Sequence, residues 1–499
     1  MAPVRGFIGG FYAGANPITA NETLVNWYPS AVETPNGATP VELLPTPGVR
    51  TFATASTGVG RGAWAGDDRA FVVFGDTLFE LSPAGVATSR GTMAYDTNPV
   101  TFSTNGDAGN QLLITSGGNA YCYDLGTNTL SLVIAGGVLQ GGVVDGYGVV
   151  LVTTPGDVQF RISDLFDLTT WDPLQFAQRS IQPDLWQAMH VDPYGYIRLF
   201  GSKTSEAWVN QDLFPFPFAP DRSGLMEEGI AALFSVRQAG KHTVWLSTNG
   251  NGGYQVFAAQ GFTPKRISHH ALERVFAGYA TVSDAVADTY EHEGHAFYLL
   301  TFPTAGATWC YDFATGAWHR RAAYINGAYT YWRPSFHCFA FGRHLAADRD
   351  SANVLELTDA PRATTDSVGA PVVLPAWTDV DGRPIVRERQ APAGGAENQV
   401  VFYDRFEVLC QAGVGLTTGA AEDVDPRLML DVSDDYGQTF GVERTASMGR
   451  VGEYGKRCTW WGLGQGRGRV WRVRCSAAVP VRLTAAFQKV RQGAPLEAA

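Results

Sequence analysis

The feature that most constrains this chain is a pair of short strands that recurs along it. Its two clearest copies comprise four apolar segments, Ala70–Phe74, Thr77–Leu81, Gln111–Thr115 and Ala120–Tyr123. Within each copy a Gly-containing turn separates two strand-like runs, which is typical of a β-hairpin. Leu78 and Tyr121 occupy equivalent places 43 residues apart. A repeat of this length predicts one supersecondary unit per copy.

Looser copies continue the pattern through the middle of the chain. They are Gly148–Val152, Val158–Ile162, Tyr196–Phe200, Glu206–Val209, His242–Leu246, Gly253–Phe257, Ala296–Thr301 and Ala307–Tyr311. Repeated β units of about 45 residues that can close around an axis predict an all-β chain folded as a β-propeller. We expect six or seven blades of the kelch or sialidase type, ending near Leu357. An irregular series of β-sandwiches is the alternative.

Two copies share the phrase Y-D-x-x-T-x-x-[LW]. Its residues are Tyr123, Asp124, Thr127 and Leu130 in the first copy and Tyr311, Asp312, Thr315 and Trp318 in the second, 188 residues later. The phrase resembles the turn between inner and outer strands of a kelch-type blade. Asp and Thr side chains cap such turns, and the closing apolar residue is expected to pack between blades.

The pattern divides the chain into four segments. Residues 1–58 contain proline-broken stretches such as Leu44–Gly48 and predict an extended N-terminal arm on the surface of the body. Residues 59–358 form the propeller body. Residues 359–398, rich in Ala, Pro, Gly and charge, predict a connector or long loop. Strand-like runs resume in 399–499, which we expect to form a final blade or a small β-sandwich.

The charge is acidic overall and uneven along the chain. There are 37 Lys and Arg against 48 Asp and Glu, a net charge of −11, which argues against a dedicated nucleic-acid binder. Residues 441–491, however, carry eleven Lys or Arg and two Glu. The candidate interface on this basic segment consists of Arg467, Arg469, Arg472 and Arg474. Such an end could contact an acidic neighbour, while a solvated strand face is the alternative.

Residues 433–440 fit the pattern S-x-D-x-G-x-T-[WF], the Asp-box of sialidase-like propellers. The defining residues are Ser433, Asp435, Gly437 and Phe440. The motif is a hairpin turn and not a catalytic element, because its short polar side chains bond the turn backbone. A sialidase would also need an arginine cluster, a Tyr–Glu pair and an acidic Asp. Arg333 and Tyr12 are available for these roles, but no spacing selects them.

No other pattern predicts chemistry. In the extended segment before Ala296, His292 and His295 would point to opposite faces, so a hairpin loop is favoured over a metal site. The glycines of 462–466 lack the strand–helix context of a phosphate loop. We therefore predict no catalytic, cofactor-binding or metal-binding residue. The chain also shows no signal peptide and no apolar run long enough for a membrane helix, so we expect synthesis in a cytoplasm without membrane insertion.

Four blocks in a fixed order carry a family resemblance. They are Asn26–Pro29 with Leu44–Val49, Trp171–Ala177 with Leu199–Trp208, Ile267–Glu273 with Gly294–Arg321, and Val432–Gly437 with Gly452–Trp471. With this order the chain resembles the tail hub or nozzle proteins of short-tailed bacteriophages, the packaged DNA stabilisation family. The last block also occurs in diverse phage proteins, so it supports a phage origin better than a position in the tail.

The resemblance implies a structural role in the virion. A member would form a ring with its own copies, expected to be a homohexamer, below the portal and adaptor. It would extend the DNA channel, anchor fibres or spikes and help to retain packaged DNA, and the family transfers no catalytic residue. An acidic propeller facing the channel would let DNA pass without specific binding. Two alternatives remain: a glycan-binding or sialidase-like receptor-recognition propeller of a phage tail, and a solitary kelch-like adaptor.

Overall fold

A computed structural model describes residues 1–34, 39–179, 181–248, 252–365, 371–374, 376–394 and 399–492. The chain divides into two compact units. The propeller unit comprises residues 51–305 and 333–356. The sandwich unit comprises residues 1–50, 306–332 and 357–499. Within the described residues, no helix is both long and apolar enough to cross a membrane.

The propeller unit contains five antiparallel sheets of four sequential strands, which we number as blades 1 to 5. Their strands are Gly60–Gly66, Arg69–Phe74, Thr77–Leu81 and Ala87–Thr92; Thr101–Thr104, Gln111–Ser116, Asn119–Asp124 and Thr129–Ile134; Val138–Val144, Tyr147–Thr154, Asp157–Ile162 and Phe176–Gln178; Trp186–Val191, Tyr196–Gly201, Ser205–Asn210 and Phe218–Met226; and Arg237–Ala239, His242–Thr248, Tyr254–Gln260 and Thr263–Arg266. Two further antiparallel pairs, belonging to blades 6 and 7, are Val286–His292 with His295–Phe302, and Pro334–Ala340 with Arg343–Asp348. The helices are Gly106–Gly109 and His270–Ala277.

The first strands of these seven sheets lie side by side around a common axis. The strand of blade 7, Pro334–Ala340, contacts both the first strand of blade 6 and that of blade 1, so the ring closes. Between blades 4 and 5 the contact includes His190 Nε2 and Gln238 Oε1, 3.4 Å apart. The part of the chain that the structure describes therefore forms a β-propeller with seven blades, within the predicted range of six or seven.

Side-chain alternation explains why the blades assemble radially. In the strand Arg69–Phe74, Phe71 and Val73 join the apolar cluster shared with blade 2, and Val72 and Phe74 join the cluster shared with blade 7. Successive side chains of a strand point to opposite faces, so this strand buries both faces against its two neighbours. A blade of this kind cannot bury its apolar surface alone, which favours closure of the ring.

The sandwich unit is built from two sheets. The first has the order Trp27–Ala31, Val41–Pro45, Leu483–Gln492, Val401–Cys410 and Cys458–Trp461, with Ala2–Pro3 and Gln465–Gly466 beside it. The second contains, in order, Ala307–Asp312, Ala317–Arg321, Asn21–Val25, Arg387–Pro392, Val470–Cys475, Arg427–Ser433 and Arg444–Ser447, with Tyr12–Ala13 beside Asn21–Val25. The smaller elements are the strand pairs Ala323–Ile325 with Ala328–Thr330 and Arg362–Thr365 with Pro371–Leu374, the 3-10 helix Val380–Gly382 and the helix Ala421–Val424. Two strands, Gly48–Thr54 and Asn353–Thr358, contain residues of both units.

One apolar core fills the space between the two sheets. Phe406 of the first sheet stacks on Trp471 of the second, with ring centroids 4.4 Å apart and an interplanar angle of 18°. Tyr403 meets the same indole edge-on at 5.3 Å. Large aromatic side chains contribute most of the buried area in such a core. Of the two predictions for the C-terminal region, the small β-sandwich is therefore the one observed.

The N-terminal segment differs from the predicted surface arm. Leu24 and Trp27 are fully buried in the sandwich core, and Trp27 Nε1 donates a hydrogen bond to the Val481 carbonyl at 2.8 Å. Asn26, at φ 54°, donates to the carbonyls of Ala322 and Val386 at 2.8 and 2.9 Å. The sequence suggested an arm because the strands that complete this core lie hundreds of residues further along the chain.

The predicted connector also differs, because residues 387–392 form a strand inside the second sheet. Arg387 and Arg389 are fully buried there. Arg389 donates to the carbonyls of Phe7, Gly10 and Thr23 at 2.6, 3.0 and 3.1 Å. Charged side chains suggested a loop, whereas these carbonyls satisfy the buried guanidinium. Residues 366–370, 375 and 395–398 of the predicted connector lie outside the described residues.

Substituting Trp27 tests whether the N-terminal segment belongs to the core. Trp27→Ala is expected to lower the free energy of unfolding of the sandwich unit by about 3–5 kcal/mol, because it leaves a large cavity between the sheets. Denaturant unfolding followed by tryptophan fluorescence measures this. Ile18→Ala, at an exposed position of the same segment, should change it by less than about 0.5 kcal/mol. Equal, small effects of both substitutions would restore the surface-arm interpretation.

Candidate functional site

The first copy of the Y-D-x-x-T turn joins the third and fourth strands of blade 2. Asp124 Oδ1 accepts hydrogen bonds from the backbone N–H groups of Thr127 at 2.7 Å and Gly126 at 2.9 Å. Donation from the Thr127 backbone lowers the pKa of Asp124. The Thr127 hydroxyl lies 2.8 Å from that of Thr129. The carboxylate therefore satisfies the backbone of the turn.

This turn also links blade 2 to blade 1. The Arg69 guanidinium of blade 1 donates to the Leu125 carbonyl and to Asn128 Oδ1, both at 2.6 Å. It lies over the rings of Phe71 and Tyr123, at 4.9 and 5.9 Å from their centroids. The turn contributes to cohesion between neighbouring blades, since Tyr123 is fully buried at their interface.

The second copy lies in the sandwich unit. Asp312 is buried, and it accepts from the Ala314 N–H at 2.9 Å and the Thr315 hydroxyl at 2.7 Å. Tyr311 and Trp318 are cross-strand partners with ring centroids 5.2 Å apart. The two copies thus form the same hairpin turn, but they belong to different compact units.

The Asp-box residues form a turn directly after the strand Arg427–Ser433 of the sandwich unit. Ser433 Oγ accepts from the Gly437 N–H at 2.8 Å, and Asp435 Oδ1 accepts from the N–H groups of Gln438 and Thr439, both at 2.9 Å. Hydrogen bonds from Ser433 and Thr439 lower the pKa of Asp435. Gly437 has φ 92°, a conformation that favours glycine.

The four arginines of the basic segment have different environments. Arg469 is buried, donates to both carboxylate oxygens of Asp434 at 2.8 and 2.7 Å, and lies 4.2 Å from the centroid of Tyr403. Arg472 and Arg474 both pair with the buried carboxylate of Asp431. These three side chains are already bound within the chain, so they cannot form a free basic surface.

Arg472 and Arg474 each make one further contact within the sandwich unit. Arg474 also pairs with Glu443 at 2.7 Å. The Arg472 guanidinium covers the Phe440 ring of the Asp-box, 3.7 Å from its centroid. Arg467 is exposed. Of the predicted interface residues, Arg467 alone keeps an exposed side chain.

Dividing the charges between the two units changes the interpretation of the charge pattern. The propeller unit carries 27 Asp and Glu against 16 Lys and Arg, whereas the sandwich unit carries 21 of each. The whole net charge of −11 therefore belongs to the propeller unit. The basic segment therefore does not make the sandwich unit basic as a whole, because Arg469, Arg472 and Arg474 lie beside carboxylates of the same unit.

The two residues considered for glycan cleavage lie in different compact units. Arg333 is buried and pairs with Asp348, with Nε 3.0 Å from Oδ1. Arg333 belongs to the propeller unit and Tyr12 to the sandwich unit. His292 and His295 face each other across the turn Glu293–Gly294, whose φ angles are 49° and 81°. Two left-handed residues form a tight hairpin turn. The expectation that His292 and His295 point to opposite faces is wrong, because directly opposed cross-strand partners lie on the same face of the sheet.

A cavity on the axis of the propeller unit contains residues that no motif marked. Its volume is about 260 Å³, and its titratable lining residues are His190, Arg237, Asp288 and His337. Burial raises the pKa of Asp288 to about 6, although Arg237 lies nearby and the His337 N–H donates to its carboxylate at 2.9 Å. Burial lowers the pKa of His190 to about 4. Only closure of the ring brings these first-strand residues together.

Comparison with known families gives two adjacent matches. The family described as the beta-propeller of bacteriophage P22 Gp10 matches residues 8–361, and the beta-sandwich of bacteriophage P22 Gp10 matches residues 387–491. The chain belongs to the P22 Gp10 family. Membership identifies a structural protein of the phage tail and DNA-stabilisation class, located in the virion. The family resemblance inferred from the sequence is therefore confirmed.

Other comparisons are less informative. No curated protein matches the chain. Solved structures similar to this Gp10-family chain include virginiamycin B lyase from Staphylococcus aureus, at 8% identity over 62% of this chain and 98% of the lyase with a TM-score of 0.39. The WD40 domain of Toxoplasma gondii coronin matches at 12% identity over 66% of this chain and 85% of that one, with a TM-score of 0.39. At these values the likeness assigns no activity.

Arg472 and Arg467 provide a matched test of the basic segment of this Gp10-family chain. Arg472→Met is expected to lower the free energy of unfolding by about 1–3 kcal/mol, because the buried Asp431 would lose one of its two paired cations. The pair with Arg474 remains and limits the loss. Arg467→Met should change it by less than about 0.5 kcal/mol. Denaturant unfolding of both variants measures the difference. A larger effect at Arg467 would contradict this assignment.

The axial cavity predicts a pH-dependent stability. The pKa of Asp288 in the folded chain is about 6, above the value near 4 of an unfolded carboxyl. The folded state therefore binds this proton more tightly, and the resulting stabilisation, present below about pH 4, is lost as the pH rises through 6. In Asp288→Asn, the unfolding free energy at pH 7 relative to that at pH 4 should be about 1–3 kcal/mol higher than in the unmodified chain, because this loss with rising pH is removed. Asp107→Asn, at an exposed position, serves as the control, and an unchanged profile in Asp288→Asn would contradict the prediction.

Proposed function

We propose that this chain is the ring-forming hub or nozzle subunit of a short-tailed phage tail. It extends the DNA channel below the portal and adaptor, anchors fibres or spikes, and helps to retain the packaged genome. The observation that carries the proposal is the paired family match, with the propeller and sandwich of bacteriophage P22 Gp10 in the same order along one chain. The chain performs this role as a homo-oligomer, for which we propose a hexamer, and it catalyses no reaction.

The distribution of charge supports a role beside moving DNA. Each phosphate that a protein neutralises strengthens binding, so a conduit with many free cations would slow ejection. The propeller unit has an excess of eleven carboxylates, and three of the four arginines of the basic segment are paired with carboxylates of the sandwich unit. Such a chain repels passing DNA more than it binds it.

The neutral sandwich unit supports self-association. Copies that carry a large like charge on a shared contact repel one another, whereas a unit with 21 acidic and 21 basic residues can form complementary contacts. We therefore propose that the sandwich unit contributes contacts between neighbouring subunits of the ring. The glycan-cleaving alternative loses support, because Arg333 is held in a buried ion pair with Asp348.

Removing the chain from the particle tests the proposed role. Phage assembled without it should package DNA and then lose it, because the channel below the portal stays open. The measurement is nuclease-protected DNA per particle, with the chain supplied from a plasmid as the control. Cryo-electron microscopy of the restored tail should locate it in a ring around the channel. Full DNA retention in its absence, or a monomeric chain away from the axis, would contradict the proposal.

A further inference from the structure

Seven large apolar side chains are exposed at one end of blades 3 and 4, six of them in loops and Phe176 at the start of a strand. Phe214 is 97% exposed, Leu174 is 83% exposed, and the others are between 37% and 53% exposed. The set is Leu165, Phe166, Leu174, Phe176, Tyr194, Leu213 and Phe214. Scattered single apolar residues are ordinary on a protein surface, but a group of this size gathered at one end of two neighbouring blades favours an interaction site.

Topology places these side chains at one end of the two blades. In a sheet of four sequential antiparallel strands, the first and third connections leave from the same end. Residues 163–175 form the third connection of blade 3, and residues 192–195 and 211–217 form the first and third connections of blade 4. The first strands of the two blades run side by side in the same direction, since the Met189 N–H donates to Gln140 Oε1 at 2.7 Å and Gly195 lies beside Asp145.

The loop that carries Phe214 is fixed at its base. The Gln211 N–H donates to the Pro217 carbonyl at 2.8 Å, and the Phe216 ring packs 5.6 Å from the Phe160 ring in the core of the blades. These contacts leave Leu213 and Phe214 at the tip, facing solvent. A fixed loop that presents an aromatic side chain loses little entropy on binding, which is the property of an interface anchor.

Phe166 provides a second, independent observation. Its φ is 56°, a left-handed conformation that is strained for a bulky residue. The conformation is held because its N–H donates to the Gly146 carbonyl at 2.9 Å and its ring lies against Gly146. Backbone strain that keeps an aromatic ring at the surface is typical of functional positions.

The apolar residues are surrounded by carboxylates. Asp145, Asp164, Asp172 and Asp212 are all exposed in the same set of loops. No Lys or Arg occurs between residues 162 and 178 or between residues 209 and 217, and the flanking Arg161 and Arg179 are half-buried. The face therefore combines an apolar centre with an acidic rim, and we call it the acidic-rimmed face.

Its area is sufficient for a specific interface. A large side chain exposes roughly 150–250 Å² when free, so the seven residues expose on the order of 700 Å². A standard protein–protein interface buries about 800 Å² on each partner. A face-to-face contact between two copies would oppose the two acidic rims, which like-charge repulsion disfavours.

We propose that the acidic-rimmed face binds a different protein of the phage tail, one that presents an apolar centre surrounded by Lys and Arg. The inference rests on the proposed function as a tail subunit and identifies a surface through which that subunit holds a neighbour. The apolar side chains supply most of the affinity, and the carboxylates select a cationic partner.

Site-specific photocrosslinking in the assembled virion tests the partner. The photoreactive residue p-benzoylphenylalanine replaces Phe214 in the full chain, and the adducts formed in purified particles are identified by mass spectrometry. We expect an adduct with another virion protein at an apolar segment flanked by Lys or Arg. An adduct with a second copy of this chain, an adduct at an acidic segment, or no adduct would each overturn the proposal. The probe at Leu132, an exposed position on blade 2, serves as the control and should give no such adduct.

Surface variants test the two components of the face. Leu213→Ser with Phe214→Ser, probed through p-benzoylphenylalanine at Leu174, should reduce the adduct at least tenfold. Val86→Ser with Leu132→Ser, which remove exposed apolar side chains of blades 1 and 2, should leave it unchanged. Asp164→Asn with Asp212→Asn should reduce it less, and this difference should shrink in 0.5 M salt. Equal effects of the serine pair and its control would overturn the proposal.

The same particles separate this proposal from the proposed function. If the chain is absent from virions, the tail assignment itself fails. If virions contain the chain in a ring but position 214 gives no adduct, only the acidic-rimmed face fails. Because all substituted side chains are exposed, circular dichroism melting curves of the purified variants should match that of the unmodified chain.

Discussion

Two-sided burial of the blade strands is the constraint on which the propeller unit depends. Because neighbouring residues of Arg69–Phe74 serve different interfaces, each blade needs a neighbour on both sides. An open row of such sheets would leave an apolar face at each end, and closure of the ring removes both. The same closure places Arg237 and Asp288 on the axis. Polar contacts such as those of Arg69 then fix how adjacent blades meet.

In the sandwich unit, the main constraint is that buried arginines must find hydrogen-bond acceptors on other segments of the chain. Arg389 reaches the carbonyls of the N-terminal segment, and Arg469 reaches Asp434 across the sheet. A buried guanidinium is costly unless its donors are satisfied, so the contacts of Arg389 require the N-terminal segment to be present beside the strand Arg387–Pro392. The arginines are consequently parts of the fold before they can serve any partner.

The two compact units of the chain differ in net charge. The carboxylates in excess are confined to the propeller unit, and the charges of the sandwich unit balance. An acidic surface limits adhesion to DNA, and a balanced one permits contact between copies. The acidic-rimmed face adds selectivity, because its apolar centre can bind a neighbour whose charge complements the rim.

The sequence by itself determined the elements whose signal is local. Strand pairs such as Arg69–Phe74 with Thr77–Leu81, the turns at Asp124 and Asp435, and the family of the chain all follow from short patterns and their order. Tertiary structure alone decided that Trp27 belongs to a core, that Arg472 is bound to Asp431, and that Phe214 and Phe166 share one face. The physical reason is that burial and ion pairing depend on partners that strand pairing and ring closure bring together. The sequence around a residue does not indicate which distant residues these partners are.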